Sequence, residues 1–221
     1  SPSPDDRATA EAAIAAYRNS IVDTEGEAGP FSSDLFEQWL SLSQAYQQID
    51  QHDEALEALE KAEYISRINN GLYAPTQFAV VEQMVESLMA SGEIQEAMSK
   101  QQYLLYLHTQ YYGPNSKQLV PALEQLGDWN MRAFENGVHG SKSVGFVMAG
   151  RNGFNSPLSG RAPVLSPRAQ SIASLGVAQR RYYQAIVNLL DSEDFHNRQI
   201  LELEEKLLQS IYYEGHRNGL M

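Results

Sequence analysis

The sequence of 221 residues contains no cysteine. That absence excludes a disulfide, a thiol nucleophile and a zinc site built on cysteine ligands. Val, Ile and Thr are sparse beside Ala, Gln, Glu and Leu, a balance that favours helix over strand. No run of about 18 apolar residues occurs, so we expect no membrane insertion. We expect a soluble protein, cytoplasmic or bacterial periplasmic, and the composition does not decide between these compartments.

Basic residues are also few. Lys and Arg number 16 against 28 Asp and Glu, which gives a formal net charge of −12. A surface of that sign repels nucleic acid and anionic membranes, so we expect neither as a partner. An acidic surface that serves only solubility is the alternative.

Hydrophobic residues make up 43% of the chain, as in a globular protein. Their spacing repeats, because an offset of 42 residues brings apolar positions and glycines into coincidence. The coincident sets are Phe36, Phe78 and Val120; Trp39, Val81 and Leu123; Leu42, Met84 and Leu126; Ala13, Ala55 and Ala97; and Gly29, Gly71 and Gly113. Within one period the spacing predicts two amphipathic helices, which must stack on neighbouring pairs to bury their apolar stripes.

Local signals predict where these helices begin and end. Asn69, Asn70 and Gly71 end one helix, Pro75 begins the next, and Gly92 supplies the following turn. Asn115 and Ser116 are a cap for the third period, and Pro121 fits its helix only if that helix begins around Leu119. A first helix over about 5–22 has no partner helix before it.

The repeat carries a recognisable motif. Its first copy consists of Trp39, Leu42, Ser43, Tyr46, Ala55, Leu59 and Ala62, and this spacing resembles the signature of the tetratricopeptide repeat. A second copy begins at Met84 and a third at Leu123. The period of 42 resembles the long repeats of kinesin light chains and related bacterial proteins. The resemblance implies an all-α fold, a right-handed α-solenoid of antiparallel helix hairpins whose first helices line a concave groove for a peptide or a partner helix.

With Trp39, Val81 and Leu123 placed inward, another helix face is turned to that groove. The predicted groove residues are Glu37, Gln44, Gln48, Glu82, Gln83, Glu86, Glu124, Gln125 and Asp128. Some tetratricopeptide domains hold a C-terminal carboxylate with Lys, Arg and Asn, and this set departs from that pattern. Acceptors and amides instead suit a basic or polar protein segment. A solvated face without a ligand is the alternative.

The repeats end near residue 135, and we expect three parts that form a single domain. These are helical repeats over 1–135, a loop rich in Gly, Ser and Pro over 136–167, and a helical hairpin over 168–221 that packs on the same solenoid. Residues 136–190 contain six basic and no acidic side chains, a charge of +6 against −18 elsewhere. The loop bases Lys142, Arg151 and Arg161 could contact the acidic groove or a second copy; a mobile insertion is the alternative.

The residue pattern indicates no catalytic site, metal site or cofactor. The five histidines are isolated, without the i, i+4 pairing of a helical metal site, and no nucleophile motif occurs. We therefore expect a non-enzymatic scaffold that binds a protein or peptide segment. A structural oligomerisation module, including a homo-oligomer, is the first alternative, and an enzyme or carrier of a small ligand is the second.

Overall fold

The computed structural model describes residues 3–139, 167–191 and 197–217, and all regular structure in those ranges is helical. The all-α prediction is thus confirmed for them. The helices are α1 (Pro4–Ala28), α2 (Leu35–Gln48), α3 (His52–Asn70), α4 (Thr76–Ser91), α5 (Ile94–Tyr112), α6 (Val120–His139), α7 (Pro167–Leu190) and α8 (Asn197–Arg217), with a 3-10 turn at Lys117–Leu119 before α6. No helix among them is long and apolar enough to cross a bilayer.

The helix ends follow the local signals in the sequence. Pro75 is the N-cap of α4, and Gly92 closes that helix in the left-handed conformation at φ 85° and ψ 7°, where a side chain would be strained. Pro121 lies in the first turn of α6, where its missing N–H is not needed, so the predicted start near Leu119 is confirmed. Ser116 caps the preceding turn by accepting from the Gln118 amide.

Two helices are longer than their sequence patterns predict. A capping box between Ser3 and Asp6 starts α1, which continues to Ala28, beyond the predicted end at residue 22. Helix α6 continues to His139, four residues into the range predicted as a loop. Terminal turns carry few apolar residues, so periodicity alone does not mark them.

The chain divides into two compact units, Ser1–Pro114 and Asn115–Met221. In the first unit each helix from α1 to α5 packs against the next one. Side chains of α1, α2 and α3 form one core, and side chains of α2, α3 and α4 form the next, around the fully buried Leu59 and Met84. A buried side chain of that size stabilises the fold by about 1.5–3 kcal/mol. The middle helices therefore bury two faces each.

In the second unit α6 packs against α7, and α7 packs against α8. The ring of Tyr182 in α7 lies over Gly127 in α6, so close that a Cβ at Gly127 would stand 2.8 Å from its Cδ1. Asn188 in α7 donates from Nδ2 to the carbonyl oxygen of Ser116, over 3.0 Å. These contacts attach α7 to the segment just before α6 and to the middle of α6.

Candidate functional site

The nine predicted groove residues are divided between the two units. Six of them lie on α2 and α4 in the first unit, and three lie on α6 in the second. Of the inward residues, Val81 and Leu123 are fully buried, whereas Trp39 is only half-buried.

Helices α2 and α4 are joined by polar side chains. Gln47 donates from Nε2 to the hydroxyl of Ser87 over 2.8 Å and to the carbonyl oxygen of Gln83 over 3.3 Å. Ser43 donates to the side-chain oxygen of Gln83, also over 3.3 Å. Gln83 thus holds the two helices side by side and is half-buried between them, although the sequence predicts it in the groove.

The other five groove residues of the first unit are exposed. Successive helix residues are about 100° apart, so Glu37, Gln44 and Gln48 fall within one narrow sector of α2. Glu82 and Glu86 lie one turn apart on α4, beside the half-buried Gln83 that contacts α2. The five exposed side chains, which we call the acidic face, are Glu37, Gln44, Gln48, Glu82 and Glu86.

Glu82 and Glu86 are the electrostatic centre of the acidic face. Neither carboxylate forms an ion pair with any residue that the structure describes. Partial desolvation of the carboxyl raises the pKa of Glu82, and the negative charge of Glu86 raises it further. A cation placed between the two carboxylates would relieve this repulsion.

The corresponding carboxylates of the second unit hold a cation. Lys206 on α8 places its Nζ 2.7 Å from Glu124 Oε1 and 2.9 Å from Asp128 Oδ2. Burial alone would lower the pKa of Lys206, but its hydrogen bonds to the two carboxylates outweigh burial and raise the pKa. Asp128 also accepts a hydrogen bond of 2.8 Å from the Tyr182 hydroxyl. The third groove residue of α6, Gln125, is exposed.

The two carboxylate pairs occupy equivalent places in the repeat. Glu82 and Glu124 are 42 residues apart, as are Glu86 and Asp128. Within each pair the two carboxylates stand one helical turn apart, and each pair lies on the first helix of its period. The chain therefore contains one pair that binds a lysine of its own and one pair that is unpaired among the described residues.

The sequence interpretation missed a cavity elsewhere in the first unit. A cleft of about 400 Å³ lies between α1 and α3, and its floor is formed by Trp39, Leu42 and Tyr46 of α2. The sequence feature that could have indicated this cleft is Lys61, which corresponds to the aromatic Tyr103 at the offset of 42 residues. A polar residue there leaves Trp39 partly uncovered.

Two further predictions concern other residues. The loop bases Lys142, Arg151 and Arg161 lie outside the described residues. Within the described ranges, no group of three or more His, Asp and Glu side chains is arranged to hold a metal ion. Burial lowers the pKa of His108, whose ring stands 4.3 Å from that of Phe78, centroid to centroid.

Comparison with known proteins assigns no family to the chain. No protein-family model matches the sequence, and no curated protein matches it either. The resemblance to tetratricopeptide repeats therefore stays a prediction from the sequence.

Proposed function

We propose that the chain is a scaffold built of tetratricopeptide-like helix hairpins, and that it binds a basic segment of a partner protein on its acidic face. The observation that carries this proposal is the pair Glu82 and Glu86, which has no ion-pair partner among the described residues and stands where Glu124 and Asp128 hold Lys206 one period later. A right-handed solenoid is the arrangement that we propose for the hairpins.

Several contacts in the first unit support an array of hairpins. Each helix packs against its sequence neighbour, and polar bonds also join alternate helices. Gln47 and Gln83 join α2 to α4, and Lys100 joins α5 to Glu63 of α3 over 3.5 Å. Contacts between both adjacent and alternate helices are expected where hairpins stack in one direction.

The partner chemistry follows from the acceptors on the acidic face. A lysine between Glu82 and Glu86 would form charge-assisted hydrogen bonds like those of Lys206. The exposed amides of Gln44 and Gln48 can donate to and accept from the backbone or polar side chains of the same segment. The acidic face contains no base that would hold a carboxylate, so we expect a basic segment and not an acidic tail.

Lys206 also suggests a concrete probe, because it lies on an amphipathic helix of this chain. The probe is a labelled peptide of residues 197–217, tested for binding to the full chain by fluorescence anisotropy. We expect the peptide to bind at least fivefold more tightly than its Lys206→Glu version. The double variant Glu82→Lys with Glu86→Lys should lose most of that preference.

A matched control distinguishes loss of the proposed site from a general effect of net charge on peptide binding. Asp23 and Glu27 are also exposed, one turn apart, on α1. Reversing both to lysine changes the net charge equally and should leave peptide binding as in the unmodified chain. Equal binding by the Glu82/Glu86 variant would refute the proposed site, including the case in which the peptide replaces α8 in the second unit.

A second candidate function is an oligomerisation module. One face of α8 exposes large apolar side chains, namely Leu201, Leu208, Ile211 and Tyr212. Leu201 and Leu208 are 64% and 65% exposed and lie two turns apart, so a second copy could bury both. Sedimentation of the chain and of a variant with Leu201→Glu and Leu208→Glu tests this, and a monomer at all concentrations rules it out.

A further inference from the structure

The cleft between α1 and α3 has an apolar interior. Trp39, Leu42 and Tyr46 form its floor, while Ile21 and Val22 of α1 and Ala58 of α3 line its walls. Val22 is 66% exposed. A volume of about 400 Å³ is enough for one or two large side chains, and it lies in the range of ordinary ligand sites.

Five charged side chains surround this interior. Arg18 lies over the ring of Tyr46 at 5.9 Å from its centroid, which is a cation–π contact. Glu25, Glu54, Glu57 and Lys61 also line the cleft, and none of the five forms an ion pair with a described residue. Three carboxylates face two cations, so the rim can accept one more positive charge.

The same place in the next period is filled by the chain itself. Lys61 corresponds to Tyr103 at the offset of 42 residues, and Trp39 corresponds to Val81. Tyr103 packs against the cluster of Phe78, Val81 and two leucines of α5, and Val81 is fully buried. An aromatic ring thus covers the position that Trp39 leaves half-open in the first period.

A lysine accompanies that ring. Lys100, which corresponds to Ala58, precedes Tyr103 by three residues on α5, and its Nζ lies 3.5 Å from Glu63 Oε2. Tyr103 and Lys100 project from the same side of α5 because residues three apart share a helix face. Lys100 and Tyr103, a basic and an aromatic residue with this spacing, therefore fill the place beside Val81 in the second period. Ala58 and Lys61 leave the corresponding place beside Trp39 open in the first period.

We propose that the cleft between α1 and α3 binds a helical segment of a partner protein that carries an aromatic side chain and, one turn before it, a basic side chain. The aromatic ring packs on Trp39, as Tyr103 packs against the cluster that contains Val81, and the basic group pairs with the rim carboxylates Glu54 and Glu57. This site does not depend on the acidic face, since Trp39, Leu42 and Tyr46 lie on the opposite side of α2 from Gln44 and Gln48.

The chain itself supplies a probe for this site. An amidated peptide of residues 97–110 contains both Lys100 and Tyr103 in the required spacing. The chain has only two tryptophans, Trp39 at the cleft and Trp129 in the second unit, so their indole N–H signals report on the two places separately. Titration of the full chain with the peptide should shift the Trp39 signal and leave the Trp129 signal unchanged.

Two changes test the specificity of that shift. The peptide with Tyr103→Ala should bind at least tenfold more weakly. In the chain, Lys61→Tyr supplies the ring of the second period, so it should abolish the response to the peptide and raise the melting temperature. Gln102→Tyr adds the same ring at an exposed position outside the cleft, and this control should respond like the unmodified chain.

Three results would overturn the proposal. The first is a Trp39 signal that does not move at millimolar peptide, and the second is a Lys61→Tyr chain that binds as well as the unmodified one. The third is a peptide that perturbs only α3 to α5, which means that it replaces α5 and does not enter the cleft. If Lys61→Tyr fails to fold, Lys61→Phe gives the same test with a ring that lacks the hydroxyl.

Discussion

The ring of Tyr182 in α7 lies directly on the backbone of Gly127 in α6. A Cβ at Gly127 would stand 2.8 Å from the Cδ1 and 2.9 Å from the Cζ of this ring, closer than carbon atoms approach in folded proteins. Tyr182 is almost fully buried and its hydroxyl donates to Asp128, so the ring is held from both ends. This contact requires glycine at position 127, because any side chain there would collide with the ring.

Gly127→Ala should therefore destabilise the second unit by about 1–3 kcal/mol, the usual cost of overpacking. Gly176→Ala in α7 is the control, because its nearest neighbour is the Arg180 side chain at 3.6 Å. That change should stabilise the unit by up to about 1 kcal/mol through helix propensity. Urea unfolding followed by Trp129 fluorescence in a Trp39→Phe background measures both. Equal effects of the two substitutions would contradict the close packing.

Lys206→Met should loosen α8. The change leaves Glu124 and Asp128, both partly buried, without their cation, so we expect a loss of about 1 kcal/mol in the second unit. Amide hydrogen exchange should become faster in α8 than in α6. Arg198→Met is the control on the same helix, since it breaks a pair with Glu202 whose arginine is 94% exposed, and it should have little effect.

Stability of the first unit should depend on His108 at mildly acidic pH. The His108 ring packs against Phe78, its Nδ1 is buried with no hydrogen-bond partner among the described groups, and burial lowers its pKa. The unfolded chain thus takes up a proton at about pH 6.5 that the folded chain resists, so stability falls as pH drops through that value and levels off below the folded pKa. Urea unfolding monitored at Trp39 between pH 5 and 8 measures the slope.

His108→Phe is the matched variant for this pH dependence. It keeps a ring beside Phe78 but removes the titrating group, so its stability should change less between pH 7 and pH 5 than that of the unmodified chain. An unchanged slope in the variant would assign the pH dependence to other groups.

Glu82→Gln should stabilise the first unit slightly, and it should lower the affinity of the acidic face for a basic segment. The pKa of Glu82 is raised by burial and by Glu86, which means that its ionised form costs stability as pH rises above 4.5. Removal of one charge from a like-charged pair one turn apart is worth about 0.2–0.5 kcal/mol. Unfolding at pH 7 should show this gain, and unfolding at pH 4 should show less of it. A loss of stability at pH 7 would mean that Glu82 has a cationic partner.

The positions of the helix ends could be predicted because their causes are local. Pro75, Gly92 and Pro121 determine helix ends through their own backbone geometry, so the sequence around each residue is enough to predict the end. The all-α class follows for the same reason, from periodicity within short windows. The lengths of α1 and α6 were underestimated because polar terminal turns leave little periodic signal.

The use of individual groove residues could not be predicted in the same way. Glu124 and Asp128 are engaged by Lys206, which is 82 and 78 residues further along the chain, and nothing near α6 announces that partner. Gln83 resembled its exposed neighbours in polarity, yet its side chain lies against α2, where it accepts a hydrogen bond from the Ser43 hydroxyl. The role of each of these residues depends on which helix packs against its own helix, and the repeat period alone does not specify that neighbour.

Trp39 lies half-buried in a cleft that Lys61 also lines, whereas Val81 is fully buried in a cluster against which Tyr103 packs. Two pairs of side chains therefore distinguish the two places: Trp39 and Lys61 leave the first one partly open, and Val81 and Tyr103 fill the second one. With the binding proposed for the first place, exchange of a few residues would move the binding site from one period to another. On the proposal that the cleft binds a partner helix, a substitution such as Lys61→Tyr would remove that partner without any alteration of the backbone.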